Sequence, residues 1–200
     1  MEIYIIRHGE TIWNAAGKLQ GHADIELNEK GITLAEVTSK ALLDINFDVI
    51  YTSPLIRAKK TANIICANRN IEIIEDERLK EICFGELEGK DYEDLKKVPE
   101  YGFDNFFNKP EDYVPVVGGE TIEQLCDRSS KFMDEIILNS KHNSIMIVAH
   151  AALNKSILRY IKKSEIKDFW SGEFQKNCAV SIVEINEGNI NIKQEGKIYY

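Results

Sequence analysis

Short apolar runs recur along the chain at lengths that are typical of buried strands. Residues 3–6, 49–51 and 145–149 are rich in isoleucine and valine and contain no charged residue. Runs of this length and β-branched content are typical of parallel strands that are covered on both faces. The pattern therefore predicts parallel strands in the interior of a sheet.

Longer segments carry apolar residues at spacings of three and four, which is the helical period. They cover residues 31–43, 55–67 and 122–138. Thr121 and Gln124 form a predicted capping box in front of the last helix. Because helices alternate with strands, we predict an α/β fold, a three-layer sandwich with a mostly parallel central sheet and helices on both faces.

Two further segments complete the predicted architecture. Residues 179–185 and 190–193 flank the turn-forming residues 186–189, which predicts an antiparallel β-hairpin at the sheet edge. Residues 91–119 mix prolines with aromatic residues, unlike the rest of the chain. We interpret them as an insertion over the ligand-binding edge of the sheet, within one domain that spans residues 1–200.

The composition excludes several classes of protein. With 200 residues, 44% apolar and 29% charged, the chain resembles an ordinary globular protein, neither disordered nor disulfide-dense. A net charge of -8 argues against nucleic-acid or anionic-membrane partners. Its apolar runs are too short for a signal peptide or a membrane span. We expect a cytoplasmic protein, either a monomer or a homodimer.

The cysteines point to neither a disulfide framework nor a zinc site. Cys66, Cys83, Cys126 and Cys178 are widely separated and form no C-x-x-C pair. We therefore expect reduced thiols.

Charged and titratable residues follow each predicted strand directly. The first run is followed by Arg7 and His8, the second by Ser53 and then Arg57, and the third by His150. Ligands of open α/β sheets bind beyond the carboxyl ends of the strands. We therefore expect these side chains at one edge of the sheet, although either histidine alone would also fit a polar group at the rim of the core.

Arg57 lies in the first turn of its predicted helix, with Ser53 as the expected N-cap and Pro54 as the first helical residue. A cation there opposes the helix dipole unless an anion binds beside it. Arginine presents paired donors that match phosphate oxygens. Phosphate is therefore the predicted ligand. Zinc is not expected, because Arg7 beside the histidine would repel a dication.

The sequence from Arg7 to Thr11, Arg-His-Gly-Glu-Thr, followed by Asn14, resembles the signature of the histidine phosphatase superfamily, the phosphoglycerate-mutase-like proteins. Further blocks occur in the order of that family. They include Leu19-Gln20-Gly21, Thr52-Ser53-Pro54 with Arg57, Glu81 with Gly85 and Glu88, Gly118-Gly119-Glu120-Thr121, and Val148-Ala149-His150.

The resemblance implies a reaction and a role for each of several residues. His8 would accept a phosphoryl group on a ring nitrogen and lose it to water, without metal or cofactor, and Glu81 would be the proton donor. The acidic neighbours of Glu81, Glu88 among them, are interpreted as a solvated face. The implied catalytic residues are His8, Glu81, Arg7, Arg57 and His150, and the implied substrate-binding residues are Asn14, Gln20, Gly21 and Ala151.

The chain departs from the family pattern at three positions. Ala151 stands where glycine is commoner, Glu26 where proline is usual, and Leu87 where tryptophan is frequent. None of these changes removes an implied catalytic group. Glu10 belongs to the signature, and its role is left open.

Three functions remain open, and the sequence favours the first. Hydrolysis of a small phosphomonoester requires only the groups named above. A cofactor-dependent phosphoglycerate mutase needs further cations, yet no arginine lies between Arg78 and Arg128. A phospho-ligand binding module without turnover is the third reading. Phe103, Phe106 and Phe107 would either line a pocket for an apolar alcohol or anchor the insertion to the sheet, and the second role is favoured.

Overall fold

The computed structural model describes residues 1–67 and 69–200. The strands are Glu2–Arg7 (β1), Val49–Thr52 (β2), Glu72–Glu75 (β3), Ser144–Ala149 (β4), Val180–Asn186 (β5) and Asn189–Lys197 (β6). The helices are Ile12–Ala15 (α1), Glu29–Ala41 (α2), Ile56–Cys66 (α3), Tyr92–Lys96 (α4), Phe103–Asn108 (α5), Ile122–Asn139 (α6) and Ala151–Lys162 (α7).

The strands form one mixed sheet in the order β3-β2-β4-β1-β5-β6. β3, β2, β4 and β1 are parallel to one another, and β5 and β6 continue the sheet in antiparallel fashion. β1 and β4 are adjacent and in register from Glu2 opposite Ser144 to Arg7 opposite Ala149. This pairing brings the residues that follow both strands, His8 and His150, to the same edge.

Helices cover both faces of the sheet. On one face, Ile3, Ile5 and Ile147 pack in a buried cluster with side chains of α6 and α7. On the other, Ile6 and Val148 pack with residues of α3. Alternate residues of each central strand thus enter opposite cores, as a sheet covered on both sides requires. The predicted α/β sandwich with a mostly parallel sheet is confirmed.

Two elements of the sandwich have no counterpart in the prediction. β3 is a short edge strand with glutamate at both ends and only partial burial, so it has no continuous apolar run. α7 buries Asn154, Lys155 and Ser156 together with its apolar residues. Its apolar residues Leu153, Ile157, Leu158 and Ile161 nevertheless follow the helical spacing, so the pattern for this helix is present in the sequence.

The start of α3 differs from the prediction. Ser53 is not its N-cap: Leu55 occupies that position without a side-chain cap, and the helix begins at Ile56. Asp24 accepts a hydrogen bond from the Ile56 N–H through Oδ1 at 2.7 Å. The cap is therefore supplied from a distant loop, which a local pattern cannot reveal. The predicted capping box of Thr121 and Gln124 at α6 is confirmed.

The aromatic segment between α4 and α6 packs tightly. Phe103 and Phe106 are 1% and 2% exposed. Phe106 also meets Trp170 edge to face, with ring centroids 5.1 Å apart. The rings therefore do anchor this segment to the rest of the molecule.

The described residues, 1–67 and 69–200, contain no helix long and apolar enough to cross a membrane. All four cysteines are free thiols, and Cys66 and Cys178 are buried.

Candidate active site

His8 follows β1 directly and is only 3% exposed. Its ring Nδ1 lies 2.7 Å from the carbonyl oxygen of Gly9. Because a carbonyl can only accept, Nδ1 carries the proton, and in the neutral ring Nε2 keeps its lone pair. Gly9 is required here because a Cβ at that position would lie 2.5 Å from the carbonyl oxygen of Gly31.

The surroundings of His8 keep its ring neutral. Burial, with the positive charges of Arg57 and Arg7, holds the pKa of His8 well below its usual range. An imidazole attacks an electrophile only in its neutral form. The site therefore maintains a nucleophilic ring nitrogen at neutral pH.

His150 follows β4 and occupies the N-cap position of α7. Its ring centroid lies 5.1 Å from that of His8. Its Nε2 lies 2.8 Å from the Ser53 hydroxyl, which itself accepts a hydrogen bond from the Leu55 N–H. Burial, together with Arg57, also holds the pKa of His150 well below its usual range.

Two arginines accompany the histidines. Arg57 is 1% exposed and donates to the carbonyl oxygens of Gly21 and Ala23, both at 2.7 Å. Arg7 donates to the carbonyl oxygen of Gln175 at 2.7 Å. Burial lowers the pKa of Arg57 to about 10, which leaves it charged at neutral pH. In the part of the chain that the structure describes, the Nε atoms of both arginines are buried without a hydrogen-bond partner.

Glu88 shapes the loop that receives Arg57. Its carboxylate accepts hydrogen bonds from the backbone N–H groups of His22 and Ala23, both at 2.8 Å, and from that of Phe84 at 3.1 Å. Gly21 has a φ of +55°, and a Cβ there would clash with this carboxylate. The interpretation of Glu88 as part of a solvated face is therefore wrong, since it is bonded to the backbone.

Glu81 lies in irregular backbone between short 3-10 turns at Glu77–Leu79 and Gly85–Leu87. Its Oε1 accepts from the N–H groups of Ile82 and Leu153, and its Oε2 accepts from that of Ala152 at 3.2 Å. Glu81 thus caps the first turn of α7, the helix that follows His150. Oε2 has the single protein donor and keeps a free lone pair.

The remaining predicted substrate-binding residues surround the same space. Asn14 accepts from the Thr11 N–H within a capping box at α1, and the Thr11 hydroxyl lies 2.9 Å from Oε1 of Gln20. Ala151 is the first residue of α7. Asn177, which the sequence gives no reason to select, donates to the His8 carbonyl at 3.1 Å.

These residues meet in one cavity of about 390 Å³. Its polar lining consists of Arg7, His8, Asn14, Gln20, Gly21, Arg57 and Glu81, and Ala151 also lines it. Aromatic side chains form another part of its lining: Phe84, Tyr92, Phe103, Phe106, Phe107, Trp170 and Phe174. Every predicted site residue lines this cavity except His150, which lies buried beside the ring of His8.

The donor set suits an anion. Within residues 1–67 and 69–200, no group of three or more His, Cys, Asp or Glu side chains is arranged to hold a metal ion. The buried guanidinium of Arg57 and the partly buried one of Arg7 line a space that is also lined by a neutral imidazole and a carboxyl group. This arrangement can bind a tetrahedral oxyanion, attack it with nitrogen and exchange one proton.

The fold is an α/β sandwich, and two histidines and two arginines meet at the carboxyl edge of its parallel strands. The family model of the histidine phosphatase superfamily (branch 1) matches residues 3–197. The chain therefore belongs to the histidine phosphatase superfamily.

Relatives and solved structures agree with this assignment. The chain is 34% identical over 189 residues to the metal-independent phosphoserine phosphatase of Arabidopsis thaliana, covering 93% of this chain and 77% of that protein. It is 32% identical to a probable 2-carboxy-D-arabinitol-1-phosphatase of the same plant, but its match spans 37% of that longer protein. The structure of YhfR from Bacillus stearothermophilus superposes with a TM-score of 0.92, at 32% identity, over 98% of this chain and 97% of that one.

Proposed function

We propose that this chain hydrolyses small phosphomonoesters through a phosphohistidine on His8, without a metal or cofactor. The observation that carries the proposal is the hydrogen bond from Nδ1 of His8 to the Gly9 carbonyl, which directs the ring's lone pair to Nε2. Arg7 and Arg57 act on the pKa of this buried ring through their positive charges, and both line the same cavity. The resemblance to a phosphatase named as metal-independent supports the same chemistry.

The first half-reaction transfers the phosphoryl group to the protein. Nε2 of His8 attacks phosphorus, a P–N bond forms, and the P–O bond to the leaving alcohol breaks. Glu81, protonated on Oε2, gives its proton to the departing oxygen, so that the product leaves as a neutral alcohol. Arg7 and Arg57 stabilise the charge that spreads over the transferring oxygens.

The second half-reaction returns the protein to its starting state. The Glu81 carboxylate takes a proton from a water molecule, the water oxygen attacks phosphorus, and the P–N bond breaks. Inorganic phosphate leaves, His8 is again neutral and Glu81 is again protonated. Nε2 of His150 faces the Ser53 hydroxyl, so Nδ1, which is buried without a hydrogen-bond partner in the described residues, is the proposed donor to a phosphoryl oxygen. Asn14, Gln20, Gly21 and Ala151 complete the pocket around that group.

The aromatic part of the cavity lining suggests the character of the leaving group. Apart from Arg7 and Arg57, the cation that lines the described cavity is Lys18, and seven aromatic side chains supply much of the remaining lining. Such walls bind apolar groups by burial and ring stacking. We therefore propose that esters of ring-bearing or otherwise apolar alcohols are preferred over the acidic esters, such as phosphoserine, that relatives are named for.

The same observation disfavours a mutase. A mutase must hold an acidic alcohol while the phosphoryl group is returned to it, which calls for cations at the leaving-group end. Lys18 alone offers little there. Interconversion of the two monophosphoglycerates faster than release of phosphate would nevertheless favour the mutase over the phosphatase.

Steady-state assays with chelator present test the proposal. We expect phosphate release from benzyl phosphate in EDTA, with a kcat/KM at least about tenfold above that for O-phosphoserine, equivalent to about 1.4 kcal/mol of ring contact, since both leaving groups are alkyl alcohols. Tight binding of phosphate without release would show a binding module. Preference for O-phosphoserine would refute the apolar leaving group while leaving hydrolysis intact.

Phe174 provides a matched pair of variants. It is 63% exposed at the cavity, whereas Leu138, 78% exposed on α6, lies outside it. Phe174→Ala should raise the KM for 1-naphthyl phosphate about fivefold and leave that for O-phosphoserine unchanged. Leu138→Ala should change neither, and an equal effect of Phe174→Ala on both substrates would contradict the role of the aromatic wall.

A further inference from the structure

The backbone that carries Glu81 belongs to no strand or helix, although its carboxylate is bonded to the first turn of α7. The residues around it form irregular backbone between two 3-10 turns, beyond the short edge strand β3. A proton donor must nevertheless be held within a few tenths of an ångström of its acceptor to be effective. The backbone of this segment must therefore be held by further contacts, and one of them is His22 Nε2, which lies 2.9 Å from the Glu81 carbonyl oxygen.

Arg128 on α6 makes several more of these backbone contacts. Its Nη1 donates to the carbonyl oxygens of Arg78 and Lys80, at 2.7 and 2.6 Å, and its Nη2 donates to the carbonyl oxygen of Glu81 at 2.9 Å. The guanidinium is thus hydrogen-bonded to the backbone at Glu81 and at residues on its N-terminal side.

Glu120 orients the Arg128 guanidinium and also bonds the backbone on the C-terminal side of Glu81. It accepts from Nε and Nη2 of Arg128, at 2.7 and 2.9 Å, in a bidentate pair. Its Oε2 also accepts from the Cys83 N–H, and its own N–H donates to the Cys83 carbonyl at 2.8 Å. Together, Arg128 and Glu120 bracket Glu81 from residue 78 to residue 83.

The geometry requires arginine. All five N–H donors of the Arg128 guanidinium are used, two on Glu120 and three on backbone carbonyls. The pair is largely buried, with side-chain exposures of 19% and 15%. Lysine has three donors around one point and cannot reproduce a planar array of five contacts.

We propose that Arg128, oriented by Glu120, is the positioning residue for proton donation by Glu81. It touches no substrate and acts through the backbone that carries the carboxyl group. The inference rests on the proposed function, because it assigns a consequence to the role of Glu81 as the acid.

Dependence on the leaving group separates this role from a general structural one. Departure of p-nitrophenol needs little protonation, whereas departure of benzyl alcohol needs a proton, and both substrates carry one ring on the aromatic wall. The kcat/KM reports the first phosphoryl transfer, in which the alcohol leaves. A misplaced proton donor therefore slows benzyl phosphate selectively, and a generally damaged fold slows both substrates.

The experiment compares Glu81→Gln, Arg128→Lys and a control, Arg69→Lys, on p-nitrophenyl and benzyl phosphate. Arg69 also donates to backbone carbonyl oxygens, those of Cys66, Ile65 and Ile45, but away from the cavity and from residues 78–83, so its replacement makes the same chemical change elsewhere. Glu81→Gln should lower kcat/KM for benzyl phosphate by about 100-fold or more, and far less for p-nitrophenyl phosphate. Arg128→Lys should show the same selectivity at about tenfold, and Arg69→Lys should show none.

The outcomes distinguish the two claims. Selectivity in Glu81→Gln with an equal loss on both substrates in Arg128→Lys overturns the positioning role alone. No selectivity in Glu81→Gln overturns the proposed role of Glu81 itself. If Arg128→Lys does not fold, Glu120→Gln, which keeps the size of the side chain and weakens the bidentate pair, must show the selective loss for the inference to stand.

Discussion

The Arg57 guanidinium donates to the Gly21 carbonyl oxygen at 2.7 Å, although the two residues lie 36 positions apart. The same side chain donates to the Ala23 carbonyl oxygen, so Arg57 binds the loop that contributes Gly21 to the cavity lining. This arginine therefore shapes the cavity as well as placing a positive charge beside it.

Replacement of Arg57 by lysine should damage catalysis more than stability. Lysine keeps the charge but loses the paired donors that hold both the loop and the phosphoryl oxygens, so we expect kcat/KM to fall by about 100-fold or more. Arg69→Lys is the matched control, because Arg69 also donates to several backbone carbonyls, at Cys66, Ile65 and Ile45, but away from the cavity. A similar loss of activity in both variants would contradict a specific role for Arg57.

Glu88→Gln tests whether the loop at residues 21–23 is held in place by the carboxylate. The amide can still accept from one of the N–H groups of His22 and Ala23, but its NH2 faces the other donor. We expect KM for 1-naphthyl phosphate to rise about tenfold with a smaller change in kcat, since the loop mainly serves binding. Glu86→Gln, at an exposed neighbouring position, should match the wild type.

Protein stability should depend on pH through the two buried histidines. Their pKa values in the folded protein lie well below 6.5, so between those values and 6.5 the unfolded chain binds protons that the folded chain does not. Stability is therefore full above pH 6.5 and falls as the pH decreases below it, by up to about 1.4 kcal/mol per pH unit for each ring.

Urea unfolding between pH 7.5 and 5.5 checks this expectation. His150→Gln should reduce the pH dependence by the contribution of one ring, and the double variant with His8→Gln should reduce it further. An unchanged slope in both variants would show that the histidines are not held neutral by burial.

The sequence predicts that the site residues meet at one edge of the sheet, but it does not predict the contacts that hold them in place. His8, Arg57 and His150 each follow an apolar run, and parallel strands in one sheet must end at one edge, so the shared location is a consequence of topology. The family blocks add Glu81, Asn14, Gln20 and Gly21, which also line the cavity. No periodicity alone would select Glu81, because it lies on irregular backbone.

The contacts that hold the site residues in place join distant parts of the chain, and local sequence patterns do not encode such contacts. Asp24 caps α3 across the cavity loop, Glu88 bonds that same loop, and Arg128 reaches back to the backbone around Glu81. The expected cap at Ser53 is wrong for this reason, since its hydroxyl lies within hydrogen-bond distance of His150 instead. The aromatic residues are both anchors and lining, because the rings that pack the segment also face the cavity.

Trapping the covalent intermediate tests the central claim most directly. Protein mixed with 1-naphthyl phosphate, quenched in base within milliseconds and digested, should yield a peptide that carries acid-labile phosphate on His8. Phosphorus NMR of the quenched protein should place the phosphoryl group on Nε2, because Nδ1 is bonded to Gly9. Phosphate on Nδ1 or on another residue, or undiminished turnover in His8→Ala, would contradict the account.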